Sequence, residues 1–126
     1  MRHVALESIL AVLLSAASVS AHHGYANFHL DETKTIQGTL VSETYGNPHV
    51  VLQLKADDGT VYAATWDSAR TLQSCLTAAT LKVGDYLTIS GAPHMDPTRH
   101  ELASLTEVRR QSDGWDWVRR DRKMGC

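Results

Sequence analysis

The chain has 126 residues, of which 43% are hydrophobic and 21% charged, and its formal net charge is −2 at pH 7. This length allows one domain, and the composition is that of an ordinary globular protein rather than a disordered or collagen-like chain. The slightly acidic balance argues against a general nucleic-acid binder, because such proteins are usually basic.

The first 21 residues have the form of a secretory signal peptide. A short, weakly positive start leads into an unbroken apolar run at residues 9–14, and small residues lead up to Ala21. The run is short for a membrane span, and Glu7 just before it leaves a buried N-terminal helix as the alternative. We expect a periplasmic or secreted protein that begins at His22 and touches a membrane only through its leader.

Residues 22–110 are expected to form a β-rich domain. Alternation and β-branched content predict strands at residues 35–45, 49–55, 61–66, 86–90 and 101–109. In the second of these, Val50, Leu52 and Leu54 share one face. Gly38 marks a bend or bulge in the first strand, and residues 57–59 (Asp-Asp-Gly) predict a hairpin turn.

A helix is predicted between the third and fourth strands. Asp67 or Ser68 can cap its start, and a stripe that runs from Leu72 to Ala79 at helical spacing predicts that it ends near Ala79. Three strands, a helix and two strands is the order of the five-stranded Greek-key barrel called the OB-fold. The sequence therefore predicts an all-β protein with one short helix and a small OB-like barrel, with an open sheet or sandwich as the alternative.

Residues 111–126 are expected to be a charged tail that contains Trp115 and Trp117. The tail either folds an aromatic ring onto the barrel or docks on an anionic surface. Export permits a disulfide, and a bridge between Cys75 and Cys126 would fasten the tail to the body. Because the tail looks mobile, the sequence favours the other arrangement, with Cys75 buried and a free thiol at Cys126.

Histidine is the one enriched chemical group. Six of the seven lie after the predicted cleavage site: His22, His23, His29, His49, His94 and His100. Cleavage after Ala21 would give His22 a free α-amine with a pKa of about 8, which can chelate a metal together with the ring Nδ1. A third nitrogen would complete a nitrogen-rich set of the kind that suits Cu(II). His23 offers a second mode, through the amine, a deprotonated amide and its own ring.

His49 is the first choice for the third ligand. Residues 47–48 (Asn-Pro) fix the chain direction before it, and it opens a strand on the face opposite Val50. His94 is the second choice, since Met95 beside it adds a thioether, and Cu(I) accepts that softer pairing. A structural role stays open for each: solvation at the N-terminus, a hydrogen bond near the turn for His49, and an ordinary loop position for His94. The two remaining histidines, His29 and His100, are expected on the surface.

No HExxH, paired CxxC, phosphate loop or GxSxG motif is present, so the sequence predicts no enzyme. The leading hypothesis is a non-enzymatic copper-binding protein with His22, His23, His49 and His94 as candidate ligands. The second is a metal-free module that binds a small ligand, a glycan or a partner protein. Its candidate aromatic residues are Tyr45, Tyr62 and Trp66. A copper-dependent oxidative enzyme is a distant third.

Several short motifs together resemble a family of small exported bacterial proteins of unknown function. They are residues 21–25 (Ala-His-His-Gly-Tyr), 38–40 (Gly-Thr-Leu), 46–49 (Gly-Asn-Pro-His) and 81–85 (Leu-Lys-Val-Gly-Asp). The resemblance covers roughly residues 15–110. It implies a small periplasmic or secreted barrel and brings no assigned activity.

Overall fold

A computed structural model describes residues 24–120. A 3-10 turn at Tyr25–Asn27 precedes six strands and one helix: β1 (Lys34–Thr44), β2 (Val51–Ala56), β3 (Val61–Thr65), α1 (Ala69–Leu72), β4 (Tyr86–Pro93), β5 (Glu101–Arg110) and β6 (Asp116–Val118). The five predicted strands are all present. The sixth strand lies in the segment that the sequence assigned to the tail.

The strands form one closed barrel. Their order is β3-β2-β1-β4-β5-β6, and β3 also pairs in parallel with β5, which closes the first five strands into a ring. The helix lies between β3 and β4 in the chain. This order and closure confirm the predicted all-β, OB-like Greek-key barrel.

The barrel interior is filled by the alternating apolar residues of the strands. Val50, Leu52 and Leu54 are fully buried, as their shared face predicts, and Leu87 and Ile89 of β4 are buried as well. An alternating strand of this kind places one face in the core and the other in solvent. Residues outside the five barrel strands complete the core, namely Trp66, Leu72, Leu76, Leu81 and Trp117 of β6.

Gly38 has a different role from the predicted bend. A Cβ atom at this position would collide with the backbone carbonyl of Lys55 on β2. The irregularity in the β1–β2 register lies between Leu40 and Ser42 instead. Gly38 is therefore required for close approach of the two strands.

The helix is shorter than the sequence predicts. Ser68 is the N-cap and accepts a hydrogen bond from the Thr71 amide, but α1 ends at Leu72. Beyond it, the Thr80 side chain accepts from the Thr77 amide at 2.9 Å, and the Thr77 side chain accepts from the Ala79 amide at 3.2 Å. Such side-chain bonds compete with helical bonds, so a series of turns replaces the expected helix to Ala79.

The C-terminal segment packs on the barrel. Trp117 is only 3% exposed, and its ring meets the Trp66 ring edge-to-face with 4.9 Å between centroids. The prediction that the tail folds an aromatic ring onto the barrel is confirmed for Trp117. The expectation of a free thiol is wrong, because Cys75 is disulfide-bonded. The sequence holds one other cysteine, Cys126, which lies outside the described residues.

The predicted leader, residues 1–21, also lies outside the described part of the chain. Within residues 24–120, no helix has the length and apolar content needed to cross a bilayer.

Candidate functional site

His49 is held by one hydrogen bond to the backbone. Its Nδ1 lies 3.0 Å from the carbonyl oxygen of Trp66. A carbonyl oxygen can only accept, so Nδ1 donates and carries the ring proton. The lone pair of the neutral ring is then on Nε2. Metal-binding histidines almost always donate their second ring nitrogen in this way, which fixes both tautomer and orientation.

Two backbone hydrogen bonds between the residues just before β2 and those just after β3 hold His49 in this geometry. The Val50 amide donates to the Asp67 carbonyl at 2.9 Å, and the Trp66 amide donates to the Val50 carbonyl at 2.8 Å. These bonds extend the β2–β3 ladder by one step. Trp66, whose carbonyl orients the imidazole, is fully buried, so His49 rests on the barrel core while its own side chain stays exposed.

Tyr25 brings the start of the described chain to this imidazole. The ring centroids of Tyr25 and His49 are 6.2 Å apart, with the planes tilted by 56°. Burial, and after it the negative charge of Asp67, raises the pKa of the Tyr25 phenol, while Arg119 acts in the opposite direction. The phenol therefore stays protonated and neutral at neutral pH.

An ion pair joins the C-terminal segment to the same region. Arg119 Nη2 lies 3.0 Å from Asp67 Oδ2, and Arg119 Nε donates to the Leu105 carbonyl at 3.0 Å. Sequence reasoning considered Asp67 as a helix cap and did not find this pair. No local sequence pattern indicates this ion pair, because its two residues are 52 positions apart in the chain.

His94 has the opposite hydrogen-bond pattern. The Asp96 amide donates to His94 Nδ1 at 2.9 Å, so Nδ1 accepts and the proton of the neutral ring is on Nε2. The Phe28 ring meets the imidazole edge-to-face at 5.1 Å. In this tautomer neither nitrogen offers a free lone pair, so His94 is a hydrogen-bond donor rather than a ready metal ligand.

Of the four predicted ligands, the structure describes two and does not bring them together. His22 and His23 lie outside the described residues. Of the other two, His49 contacts Tyr25 and Trp66, whereas His94 contacts Phe28 and Asp96. No hydrogen bond or ring contact between residues 24 and 120 joins the two imidazoles.

A cavity of about 280 Å³ lies on another part of the barrel. Its walls come from the segment before β1 and the first residue of β1, from β3, and from the β4–β5 connection with the strand ends that flank it. The lining residues are His29, Glu32, Lys34, Tyr62, Pro93, His94, Met95, Pro97, Arg99 and Glu101. Tyr62 is thus the one predicted aromatic residue that borders this cavity. Trp66 is fully buried, and Tyr45 donates its hydroxyl to the Leu76 carbonyl at 2.9 Å.

Another group of possible metal-ligand atoms includes His29 and Glu32 of this cavity wall. His29, Asp31 and Glu32 each offer one atom, all within 4.8 Å of one another. The Glu32 amide donates to the His29 carbonyl at 3.0 Å, which forms the turn that gathers them. The sequence signal for this group was the position of the two acidic residues, two and three residues after His29. The two acidic residues are exposed, as such surface groups commonly are.

The model of a family of unknown function, DUF6152, matches residues 10–103 of the chain. The matched region includes β1 to β4, the start of β5, the His49 site and the cavity. A search of curated proteins gives no match. The chain belongs to this family of unknown function.

Proposed function

We propose that the mature chain is a periplasmic or secreted copper-binding protein without catalytic activity. Its Cu(II) ligands would be the α-amine and ring of His22 together with the ring of His49, with His23 assisting; the tautomer of His94 removes it from the set. The single observation that carries the proposal is the hydrogen bond from His49 Nδ1 to the Trp66 carbonyl. It leaves Nε2 as an oriented donor atom on a rigid scaffold.

The position of Tyr25 supports the same arrangement. His22 precedes Tyr25 by three residues, and three residues of extended chain reach about 10 Å. Since the Tyr25 ring already lies beside the His49 ring, a chain that begins at His22 would need to span only this length to bring its amine to that imidazole. The connecting residue Gly24 has open space around it.

The donor set explains the choice of metal. An amine and two imidazoles are three nitrogen donors, and such a set in tetragonal geometry is typical of Cu(II). The amine loses its proton on binding, with a reference pKa of about 8. The Tyr25 ring would lie beside the metal, because it already lies beside the His49 ring.

The test uses protein whose first residue is His22, confirmed by intact mass and N-terminal sequencing. Equilibrium dialysis against a competing chelator measures Cu(II) uptake, and electron paramagnetic resonance reports nitrogen ligation. We expect one Cu(II) per chain. Adding one glycine before His22, or the substitution His49→Gln, should each weaken binding by more than the roughly 10- to 100-fold cost of losing an outer hydrogen bond.

The matched control is His100→Gln. His100 is an exposed imidazole that packs on the Tyr62 ring at 5.3 Å, and its loss should leave uptake unchanged. The proposal fails if uptake is not stoichiometric, or if His49→Gln and the added glycine leave it intact. It also fails if natural secreted protein begins at a residue other than His22, because the amine-plus-ring chelate would not exist.

A metal-free binding module is the second candidate function, and the cavity beside Tyr62 is the observation that favours it. Under this alternative, the added glycine and His49→Gln are silent, while changes to the cavity wall abolish ligand binding. Trp66→Ala would not test ligand contact, since Trp66 is buried in the core.

A further inference from the structure

We propose that the cavity beside Tyr62 is a binding site for small organic monoanions, a carboxylate attached to a flat apolar body. His49 does not line this cavity. The proposal therefore stands independently of the copper site.

The walls of the cavity are fixed by backbone hydrogen bonds. The His29 amide donates to the Pro93 carbonyl at 2.9 Å, and the Met95 amide donates to the Asn27 carbonyl at 2.8 Å. The turn beyond them is closed by Asp96, whose side chain accepts from the Thr98 amide at 2.9 Å. A site held in this way needs little ordering when a ligand enters, which favours affinity.

Two hydrogen-bond donors at the cavity have no acceptor of their own among residues 24–120. The Nε2–H of His94 is one, because the Asp96 amide fixes the tautomer. Lys34 is the other: it makes no ion pair in the described part of the chain, and its Nζ lies 5.0 Å from the centre of the Tyr62 ring. Each of them can donate to an acid group bound in the cavity.

The second cation of the wall, Arg99, already has a carboxylate partner. Arg99 donates from Nε and Nη2 to Glu101 Oε1, at 2.9 and 2.7 Å. Glu32 lies 4.0 Å from His29 Nδ1. Lys34 is thus the lysine or arginine of the wall without a carboxylate partner, and this favours a ligand with an acid group.

The apolar part of the wall selects the rest of the ligand. Two prolines, Pro93 and Pro97, and the Tyr62 ring offer flat apolar surfaces, and Met95 at the edge is 51% exposed. A methionine thioether is a polarizable contact for an aromatic ring. At about 280 Å³, the cavity is at the small end of ligand sites, so it suits a single ring with its acid group.

Benzoate is the probe, with two matched compounds. Benzamide has the same ring without the charge, and acetate has the charge without the ring. Amide signals of isotope-labelled protein are followed by NMR during titration. We expect saturable benzoate binding in the millimolar range, with shifts at Tyr62, His94 and Glu101. Benzamide and acetate should give markedly weaker shifts at these positions.

Variants separate this site from general anion binding. Lys34→Met keeps most of the side-chain length and removes the charge, and it should weaken benzoate binding roughly five- to tenfold. His94→Phe should also weaken it, since the ring stays but the donor is lost. Lys55→Met removes an exposed lysine of β2 that does not line the cavity, and binding should be unchanged.

Three results would each overturn the assignment. They are shifts that do not saturate, benzamide binding as tight as benzoate, and a Lys34→Met variant with the affinity of the parent protein. Dispersed spectra of each variant establish that it is folded. The titrations are run without metal, so the outcome does not depend on the copper proposal.

Discussion

His49 and His94 differ in which ring nitrogen holds the proton, and one backbone atom decides this in each case. A carbonyl oxygen faces Nδ1 of His49, and an amide N–H faces Nδ1 of His94. The same side chain is therefore prepared as a metal ligand at one position and as a hydrogen-bond donor at the other. His49 was the first choice as a ligand because it lies at the start of a predicted strand. The sequence does not indicate which ring nitrogen of either histidine holds the proton.

Glu43 gives a prediction about stability at the same scale. One of its carboxylate oxygens, Oε1, is buried without a hydrogen-bond partner within the described residues. Burial, and secondarily Asp85, raises its pKa above 4.5. Ionisation of Glu43 therefore opposes folding. Stability is greatest below the pKa that Glu43 has in the unfolded chain, and it is lost as the pH rises through the pKa of Glu43 in the folded protein. Glu43→Gln should raise the free energy of unfolding at pH 7 by less than about 1 kcal/mol, because the carboxyl is partly solvated.

Urea denaturation at two pH values checks this sign. The gain from Glu43→Gln should be present at pH 7 and absent near pH 4, where the parent carboxyl is protonated. Glu107→Gln is the control, since Glu107 has a cation partner, Arg109, at 3.1 Å. Glu107→Gln should change the free energy of unfolding by no more than about 0.5 kcal/mol. A loss of stability in Glu43→Gln at pH 7 would contradict the interpretation.

At the scale of elements, β6 is a three-residue strand attached to the edge of β5. Its central residue, Trp117, pairs with Val108 and covers the ring of Trp66. Its neighbours Asp116 and Val118 are exposed. A strand this short gains little from its ladder, so we attribute its attachment mainly to this one aromatic contact.

The change Trp117→Ala should therefore lower the free energy of unfolding by about 3–5 kcal/mol, the usual cost of removing a buried large aromatic side chain. The neighbouring change Val118→Ala is the control. Val118 is 38% exposed, and its truncation should cost less than about 0.5 kcal/mol. Denaturant midpoints measure both. Equal effects of the two substitutions would show that β6 is not anchored in this way.

The elements also show where sequence reasoning succeeds and where it stops. The five barrel strands were predictable because alternation such as Val50, Leu52 and Leu54 encodes burial directly. The end of α1 was not, because hydrogen bonds from Thr77 and Thr80 override a good apolar stripe. The attachment of Trp117 depends on a contact 51 positions away in the chain, with Trp66, and no local pattern reports such a contact. The disulfide at Cys75 was one of the two arrangements that the sequence allowed, and it was not favoured because the tail looked mobile.

At the scale of the whole molecule, the barrel has one weak seam. β1 and β2 pair in antiparallel fashion from Gly38 with Ala56 to Thr44 with Val51. The closure between β3 and β5 is parallel and involves only Ala63 with Glu101 and Ala64 with Leu102. Short parallel pairing is less stable than a long antiparallel ladder, so local opening of the barrel should begin at this seam.

Native-state hydrogen exchange followed by NMR tests this expectation. The Ala63 amide donates across the seam to the His100 carbonyl at 3.0 Å, so its exchange reports the opening. The reference amides are those of Leu87 and Ile89, in the strand that pairs with β1 on one side and β5 on the other. Local opening with a lower free energy than global unfolding should make Ala63 exchange roughly tenfold faster or more. Protection of Ala63 equal to that of Ile89 would mean that the ring opens only when the whole protein unfolds.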